Sequence, residues 1–413
     1  MKIGNIVIKR SGDEITTELL LLSILLFSMT IIFPEIMYLL GLSSYFLFIA
    51  SFLTRKWSLP FKNSVDLIYL LFCITILFVL LRPIIYLDLS GYEKEFFYTY
   101  GIPGHILPLF LLLSMHEAPL YIVKKYIYIY GVIGVCVFGV NFNSIFVDNI
   151  DLNFREYQEY LMLIGKPISF LTASIVILLI PQFFSKKMRV LAVVSFLIIL
   201  FIQAFAARRG GLALLLLFLC FAIYLILDKK YNTKLKYFLF ASILLSLGFL
   251  IYSVADNFIL LLERLDVDSR SGVEEYFYRS MNNNYLDWIF GKGLGGTYYF
   301  PIGDPDYFRI NRGIIETGYL FYILKGGIIY LFGYVLILSI AVIKGFFFSK
   351  NRFCKGLSLY ILYNLIGLYP LGLPSFSLET FVLWLSVVWC IRNSCLIRSD
   401  DEIYSLFKMR KYE

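Results

Sequence analysis

Charged residues are scarce in this chain. They make up 16% of its 413 residues, whereas 60% of the residues are hydrophobic, and the mean hydropathy is +0.78. An average soluble domain carries roughly 25% charged residues, and a soluble protein of this size has too little interior to bury so many apolar side chains. The composition therefore excludes a soluble enzyme and a disordered chain, and it indicates a polytopic membrane protein.

Histidine and cysteine are also sparse, with two and six copies. The cysteines form no C-x-x-C pair and mostly lie inside apolar runs, so we interpret them as small membrane-buried residues rather than as disulfides or metal ligands. His105 and His116 lack metal-ligand spacing and are expected to be structural. No Ser-His-Asp arrangement and no cysteine nucleophile stands out, and we expect neither a bound metal nor a cofactor.

Long apolar runs dominate what is present, and each transmembrane helix needs about 20 such residues. If the N-terminus is cytoplasmic, 24 of the 37 basic residues fall in the two termini and in short cytoplasmic connections, as the positive-inside rule requires. The net charge of +8 is then a topological signal and not a mark of nucleic-acid binding. We expect an all-α polytopic membrane protein in which residues 1–413 form one integral membrane domain, with about 12 transmembrane helices and both termini in the cytoplasm. The runs lie near residues 19–34, 36–53, 65–82, 104–122, 126–141, 167–184, 190–207, 211–227, 237–255, 317–343, 357–373 and 377–391.

One external segment, residues 256–316 between the ninth and tenth predicted spans, is far longer than the other connections. It holds ten acidic and six basic residues, together with Trp288 and six tyrosines, a content that disfavours disorder. The stretch from Ile259 to Met281 mixes apolar and charged residues at helical spacing, which predicts a short surface helix. Since long loops in compact proteins are usually functional or disordered, we expect this large external loop to be part of an active site.

Arg208 and Arg209 stand between two apolar runs at the external boundary, against the positive-inside bias. A guanidinium at such a depth is costly and usually has an anionic partner, and its planar donors suit phosphate oxygens. Gly210 and Gly211 would let a ligand approach the start of the next helix, where the helix dipole favours anions. The alternative is that both arginines simply extend to lipid headgroups.

Further candidate cations lie in the external loop. Arg264, Arg270 and Arg279 converge if the chain bends at Gly272, or else they form local ion pairs with neighbouring carboxylates. Lys292 stands in the sequence Phe-Gly-Lys-Gly-Leu-Gly-Gly, which matches neither a dinucleotide fingerprint nor a phosphate loop and is predicted to be a turn that returns the chain to the membrane. The candidate substrate-binding residues in or beside this loop are Arg264, Lys292, Arg309, Arg312 and Tyr319.

Glu316 and Lys325 are ionisable residues at or inside the tenth predicted span, so each is a functional hypothesis. Burial would make the Glu316 carboxylate a better proton acceptor and suit it to act as a general base. The alternative is an interfacial glutamate that pairs with Arg312, four residues earlier on the same helix face.

Four features form one pattern: the step from Arg209 to Gly210 at an external helix start, the long loop 256–316, the glycine-rich stretch 290–296 and the Gly-Ile-Ile segment 313–315. The chain resembles the bacterial O-antigen and capsular polysaccharide polymerase family, whose superfamily includes the O-antigen ligases. The motifs lie within residues 195–345, and the remainder is similar in topology. The family's boundary arginine corresponds to Arg208 or Arg209, and its loop arginines to Arg264, Arg270 or Arg279. Ligase relatives carry a His-Asn pair where this chain has Glu316-Thr317, which argues against a ligase.

This resemblance implies a glycosyltransferase on the outer face of the bacterial cytoplasmic membrane, where it polymerises oligosaccharide repeat units linked to undecaprenyl pyrophosphate. Fixed arginines would stabilise the negative charge that develops on the pyrophosphate leaving group, and the donor is already activated, so no ATP is needed. The implied partners are the lipid-linked donor and acceptor, membrane lipid, a chain-length regulator and a flippase. The residues expected to be catalytic are Arg208, Arg209, Arg270, Arg279 and Glu316.

Two alternatives stay open. A flippase or another transporter of the same lipid-linked unit would place charged residues along a cavity in several spans, whereas only Lys325 and a few boundary groups qualify here. No internal repeat is visible, which also disfavours a transporter built from repeats. An O-antigen ligase would use the same chemistry with a different acceptor.

Overall fold

The computed structural model describes residues 12–55, 64–85, 100–114, 119–142, 154–205, 209–230, 271–301, 311–315, 317–370 and 373–408. The first elements are α1 (Gly12–Met29), α2 (Met37–Thr54), α3 (Ser64–Ile85), α4 (Ile102–Ser114), α5 (Leu120–Val140), α6 (Phe154–Ile175), α7 (Lys186–Phe205) and α8 (Arg209–Lys230). They are followed by α9 (Ser271–Asn282), α10 (Tyr285–Phe290), β1 (Tyr298–Tyr299), β2 (Asn311–Arg312), α11 (Gly318–Phe347), α12 (Arg352–Gly367), α13 (Leu378–Ile391), α14 (Asn393–Leu396) and α15 (Asp400–Leu406). Short 3-10 turns lie at Pro34–Ile36, Val176–Leu178 and Pro181–Phe183.

Five helices in the described part of the chain are long and apolar enough to cross a membrane, and several shorter helices are also apolar. The chain is therefore a mainly α-helical, multi-pass membrane protein, as its composition predicts. The predicted span near residues 237–255 lies outside the described residues. The number of twelve spans and their orientation stay predictions. The five long segments are Pro34–Thr54, Leu120–Val140, Lys186–Ala204, Gly210–Leu227 and Gly318–Phe347.

Helix α13 lies at the centre of the bundle. Ser377 caps its first turn by accepting a hydrogen bond from the backbone N–H of Thr380 at 3.3 Å. Every residue of the helix except Glu379 is buried, because α1, α4, α6, α11 and α12 pack around it. Trp384 stacks on Phe72 of α3, with ring centroids 5.6 Å apart. Large, fully buried aromatic rings of this kind hold neighbouring helices in one arrangement.

Helix α2 lies at the periphery and shows two different faces. Its outer face leaves Phe46 and Leu53 exposed by 77% and 76%, as expected for side chains that meet lipid. On the inner face Ser44 and Ser23 of α1 each donate a hydrogen bond to the other's backbone carbonyl, at 2.9 and 2.8 Å. Small residues at this contact allow the two backbones to approach closely, which is how membrane helices associate without a hydrophobic driving force.

The bundle has two ends, and one of them carries a small subdomain. We call this subdomain the cap; it comprises residues 271–301 and 311–315, with α9, α10 and the antiparallel pair β1–β2. Its own apolar core joins Phe277, Met281 and Tyr298 to Leu320 and Leu324 at the start of α11. Because the cap belongs to the long segment that the charge pattern assigns to the external side, we expect the cap end of the bundle to be external.

Candidate functional site

The cap is joined to the membrane bundle through a break in α11. Gly327 adopts φ +71° and ψ −173°, which interrupts the helix near its start. The backbone N–H groups of Lys292 and Gly293 donate hydrogen bonds to the carbonyls of Leu324 and Lys325, at 2.7 and 3.0 Å. The glycine-rich segment 291–297 thus supplies the donors that the interrupted helix lacks, as backbone groups in a membrane protein require.

Two of the glycines at this junction are required by close backbone approach. A Cβ on Gly291 would lie 2.4 Å from the backbone nitrogen of Gly326, and a Cβ on Gly327 would lie 2.1 Å from the carbonyl oxygen of Ile289. Both residues also have positive φ, which side chains disfavour. The sequence predicts a turn at this stretch. In the folded chain, close backbone contacts with α11 hold that turn in place, so it fastens the cap to the helix.

Two lysines hold the same segment from either side. The buried Lys325, which is 1% exposed, donates from Nζ to the carbonyls of Leu294 and Gly296. Lys292 donates from Nζ to the hydroxyl of Ser280 at 2.6 Å and to the carbonyl of Thr297 at 3.3 Å. Partial burial lowers the pKa of Lys292 from its ordinary value, although the charge of Asp287 opposes this shift. Both lysines therefore stabilise the docked cap.

A third cation, Arg82 at the end of α3, also fastens the cap. Its guanidinium donates to the carbonyl of Phe290 at 2.9 Å and lies 3.6 Å from a carboxylate oxygen of Asp287. The side chains of Arg82 and Asp287 are only 14% and 15% exposed, so water screens this pair less than it screens a surface pair. The sequence did not single out Arg82, because an arginine that ends a span resembles an ordinary interfacial residue.

Arg279 and Arg312 lie at the two ends of an aromatic pair in the cap. Arg312 lies over the ring of Phe300, 4.0 Å from its centroid, and Arg279 lies over the ring of Tyr276 at 5.9 Å. Phe300 and Tyr276 meet edge to face with centroids 5.5 Å apart. Helix α9 and the β1–β2 pair thus bring two of the predicted arginines to one surface. Arg279 is 70% exposed and also forms the local ion pair with Glu275 that the sequence left open.

Tyr319, in the first turn of α11, is surrounded by aromatic side chains. It lies close to Tyr278 and stacks on Tyr369, with centroids 6.4 Å apart and ring planes 9° from parallel. Tyr278 in turn stacks on Trp288 at 6.1 Å. Tyr278 and Tyr369 are 37% and 66% exposed, so parts of this aromatic group face outward. Exposed stacked rings of this kind suit the apolar faces of sugars.

The first turn of α8 lies at the same end of the bundle. A Cβ on Gly210 would lie 2.7 Å from Cβ of Pro370, the residue that follows Tyr369, so α8 begins directly against this segment. Arg209 is the first residue of α8, and the structure describes its backbone only. Arg209, Tyr319 and Arg279 therefore belong to elements that are linked in series, from α8 through segment 369–370 to α11, and from α11 to α9. Five predicted site residues, Arg208, Arg264, Arg270, Arg309 and Glu316, lie outside the described residues.

Two further ionisable residues in the apolar helices lie near this end. His105 is fully buried, and its Nδ1 lies 2.9 Å from the hydroxyl of Tyr330 in a tight aromatic environment, which fits the structural role expected for it. His116 lies outside the described residues. Glu379, near the start of α13, was missed by the sequence reasoning. A single carboxylate inside a predicted span is the signal that would have found it.

Comparison of the whole chain with models of known protein families, with curated proteins and with solved structures finds no match. Among the residues that the structure describes, no group of three histidine, cysteine or acidic side chains is placed to hold a metal ion.

Proposed function

We propose that this protein is an oligosaccharide repeat-unit polymerase that joins undecaprenyl-pyrophosphate-linked units into O-antigen, capsular or exopolysaccharide chains. In this proposal the chain lies in the bacterial cytoplasmic membrane, and the cap faces the outside. One observation carries the proposal: segment 369–370 contacts both the first turn of α8, which begins with Arg209, and Tyr319 of α11, and α11 packs against α9, which carries Arg279. A site of this kind combines cations for a diphosphate with aromatic rings for a sugar.

The proposed reaction is a glycosyl transfer. The acceptor hydroxyl attacks the anomeric carbon of the donor sugar, a glycosidic bond forms, and the bond from that carbon to the pyrophosphate oxygen breaks. The hydroxyl proton goes to a general base, for which Glu316 is our candidate, and undecaprenyl pyrophosphate leaves. Negative charge grows on the leaving oxygens, and fixed guanidinium groups in a partly dehydrated site stabilise that charge.

The aromatic group formed by Tyr278, Trp288, Tyr319 and Tyr369 supports a glycan substrate. In the proposal these rings stack against sugar units next to the reacting one and hold the donor or acceptor in register. Such positioning lowers the entropic barrier of a reaction between two lipid-linked molecules. Lys292, Lys325 and Arg82 then act as positioning residues, because their hydrogen bonds hold the cap on the bundle.

A flippase for the same lipid-linked unit is the second candidate. The break in α11 favours it, since many transporters bind their substrates at interrupted helices. Against it, the carbonyls of Leu324 and Lys325 at this break already accept hydrogen bonds from the cap. The backbone there is thus engaged with protein, whereas a transport site would leave it open to a substrate. A ligase would require the same chemistry at the same residues.

The direct test uses the purified protein in lipid nanodiscs with a synthetic undecaprenyl-pyrophosphate oligosaccharide. A polymerase produces a ladder of glycan lengths and releases undecaprenyl pyrophosphate in equal measure to the bonds formed. We expect Arg279→Ala to slow this reaction by about 10²-fold, the usual loss on removal of one group that stabilises transition-state charge. Absence of both the ladder and the released lipid with several repeat units would refute the proposal.

Glu275→Gln is the matched control, because it removes the ion pair with Arg279 but keeps the guanidinium. We expect this variant to retain activity close to that of the wild type. Equal losses in both variants would mean that the ion pair only stabilises α9, which contradicts a catalytic Arg279. In cells, deletion should leave single repeat units on the surface if the protein is a polymerase, whereas loss of all units indicates a flippase.

A further inference from the structure

A cavity of about 640 Å³ lies at the end of the bundle opposite the cap. It is bounded by the start of α7, the end of α8, the start of α12 and the short helix α15. This cavity is separate from the candidate glycan site, because α8 and α12 reach the cap end with their other termini. Its volume lies within the range of ligand sites in proteins, roughly 300–1,000 Å³.

Three cations from two helices line the cavity. Arg189 lies in the first turn of α7, and Arg352 and Lys355 lie in the first turn of α12. Arg352 and Lys355 are half-buried, yet within the described residues none of the three side chains makes a hydrogen bond or an ion pair. Cations at the boundary of a membrane protein are costly to leave partly desolvated and unpaired, and they usually have an anionic partner.

Two carboxylates also reach the cavity, and their positions matter for its charge. Asp400 accepts a hydrogen bond from the backbone N–H of Arg352 at 2.8 Å, so its charge stabilises the start of α12. Asp401 lies beside it on the lining. With three cations and two carboxylates, the lining has a formal charge of +1, and of its charged side chains only Asp400 is held by a hydrogen bond among the described residues.

The part of the lining that α8 contributes is apolar and reaches the outer surface of the bundle. Leu225 and Ile226 lie in the last turn of the segment Gly210–Leu227, which is long and apolar enough to cross a membrane. Ile226 is 57% exposed, and Leu178 and Leu179 add further apolar surface inside. A ligand in this cavity therefore meets both cations, from α7 and α12, and an apolar surface, from α8, that continues to the outside of the bundle.

We propose that this cavity is a binding site for an anionic phospholipid of the membrane leaflet at this end of the bundle. Arg352, Lys355 and Arg189 contact the phosphate, and the acyl chains leave the cavity along Ile226. Basic pockets between helix ends bind acidic lipid headgroups in just this chemical setting. The bound lipid connects α15 to α7 and α8, so its occupancy stabilises this end of the protein independently of glycan transfer.

The test measures lipid retention by native mass spectrometry of the full chain in mild detergent, with added phosphatidylglycerol or phosphatidylcholine. We expect the wild type to retain one phosphatidylglycerol in preference to phosphatidylcholine. The double variant Arg352→Gln/Lys355→Gln should weaken phosphatidylglycerol binding at least tenfold. The matched control is Lys186→Gln/Lys187→Gln, which removes two exposed cations from the first turn of α7 that do not line the cavity. Equal retention by both double variants overturns the proposal.

Two further measurements distinguish a bound lipid from a bound inorganic phosphate ion. Inorganic phosphate alone should raise the melting temperature much less than phosphatidylglycerol does, because it lacks the chains that contact the apolar wall. Ile226→Asn should weaken lipid binding and leave any effect of inorganic phosphate unchanged. This variant also keeps the proposal testable if the basic double variant fails to fold. Equal stabilisation by inorganic phosphate and lipid would overturn the lipid assignment.

Discussion

Replacement of Gly327 by alanine gives the sharpest test of how the cap is held on the bundle. The residue combines φ +71° with ψ −173°, a conformation that is nearly restricted to glycine. An added Cβ would lie 2.1 Å from the carbonyl oxygen of Ile289, so the residues just before Gly291 must move away. We expect the variant to keep its helical bundle but to lose the close docking of segment 291–297.

The size of the effect follows from the contacts at this break. Backbone strain at such a position costs of order 1–3 kcal/mol. The two hydrogen bonds from Lys292 and Gly293 to the interrupted helix contribute about 1 kcal/mol each. The combined loss of about 3–5 kcal/mol corresponds to a rise of at least about 100-fold in the population of the undocked cap, because each 1.4 kcal/mol is a factor of ten.

Hydrogen–deuterium exchange of peptides from residues 291–297 reports this population directly, since these amides exchange when the cap opens. The control is Gly139→Ala in α5, where an added Cβ meets no atom within 4 Å. We expect exchange in the cap to accelerate about 100-fold in Gly327→Ala and not at all in Gly139→Ala. If both variants show wild-type exchange in 291–297, the break in α11 does not hold the cap, and the reasoning is wrong.

Two further predictions concern the core and the cap lysine. Trp384→Ala should destabilise the bundle by about 3–5 kcal/mol, as the loss of a buried tryptophan usually does. Leu53→Ala removes a side chain that is 76% exposed and should leave the melting temperature in detergent almost unchanged. Similar losses of stability in the two variants would contradict the central position of α13. Burial lowers the pKa of Lys292 in the folded state. Between this lowered pKa and the ordinary value of 10.5, the folded state therefore binds fewer protons than the unfolded state, and the stability of the protein rises with pH. The melting temperature of the wild type relative to Lys292→Met should therefore rise as the pH approaches 10.5 and then level off; a difference that is flat with pH would refute this role.

The proposed role of the cap requires that it be both fixed and exposed. Lys325, Lys292 and Arg82 hold it by hydrogen bonds to backbone carbonyls, whereas Arg279 remains 70% exposed on its outer surface. The two groups of cations thus differ in their surroundings. The cations that contact backbone oxygens stabilise the docked cap, whereas Arg279, which pairs with Glu275 on the open surface, is the one that the proposed function assigns to an anionic substrate.

Part of the cap could be anticipated from residue types. Helical spacing predicts its helix, which ends near Met281, whereas the external placement of the long segment and the roles of its arginines stay predictions. Lys325 could be recognised as unusual, since a lysine inside an apolar run is rare. Its actual partners, the carbonyls of Leu294 and Gly296, could not be recognised, because no local pattern shows which backbone groups of a distant loop will lack donors.

Hydropathy and charge along the sequence are enough to identify a multi-pass membrane protein, because both are properties of each segment and need no knowledge of its neighbours. It could not decide that α13 is central and α2 peripheral, since both are apolar and lipid is as apolar as the protein interior. Only the tertiary contacts decided that, through the rings packed around Trp384. The same is true of the break at Gly327, where the cap donates hydrogen bonds to the carbonyls of the interrupted helix. These hydrogen bonds join residues of different elements, so no local sequence pattern shows them.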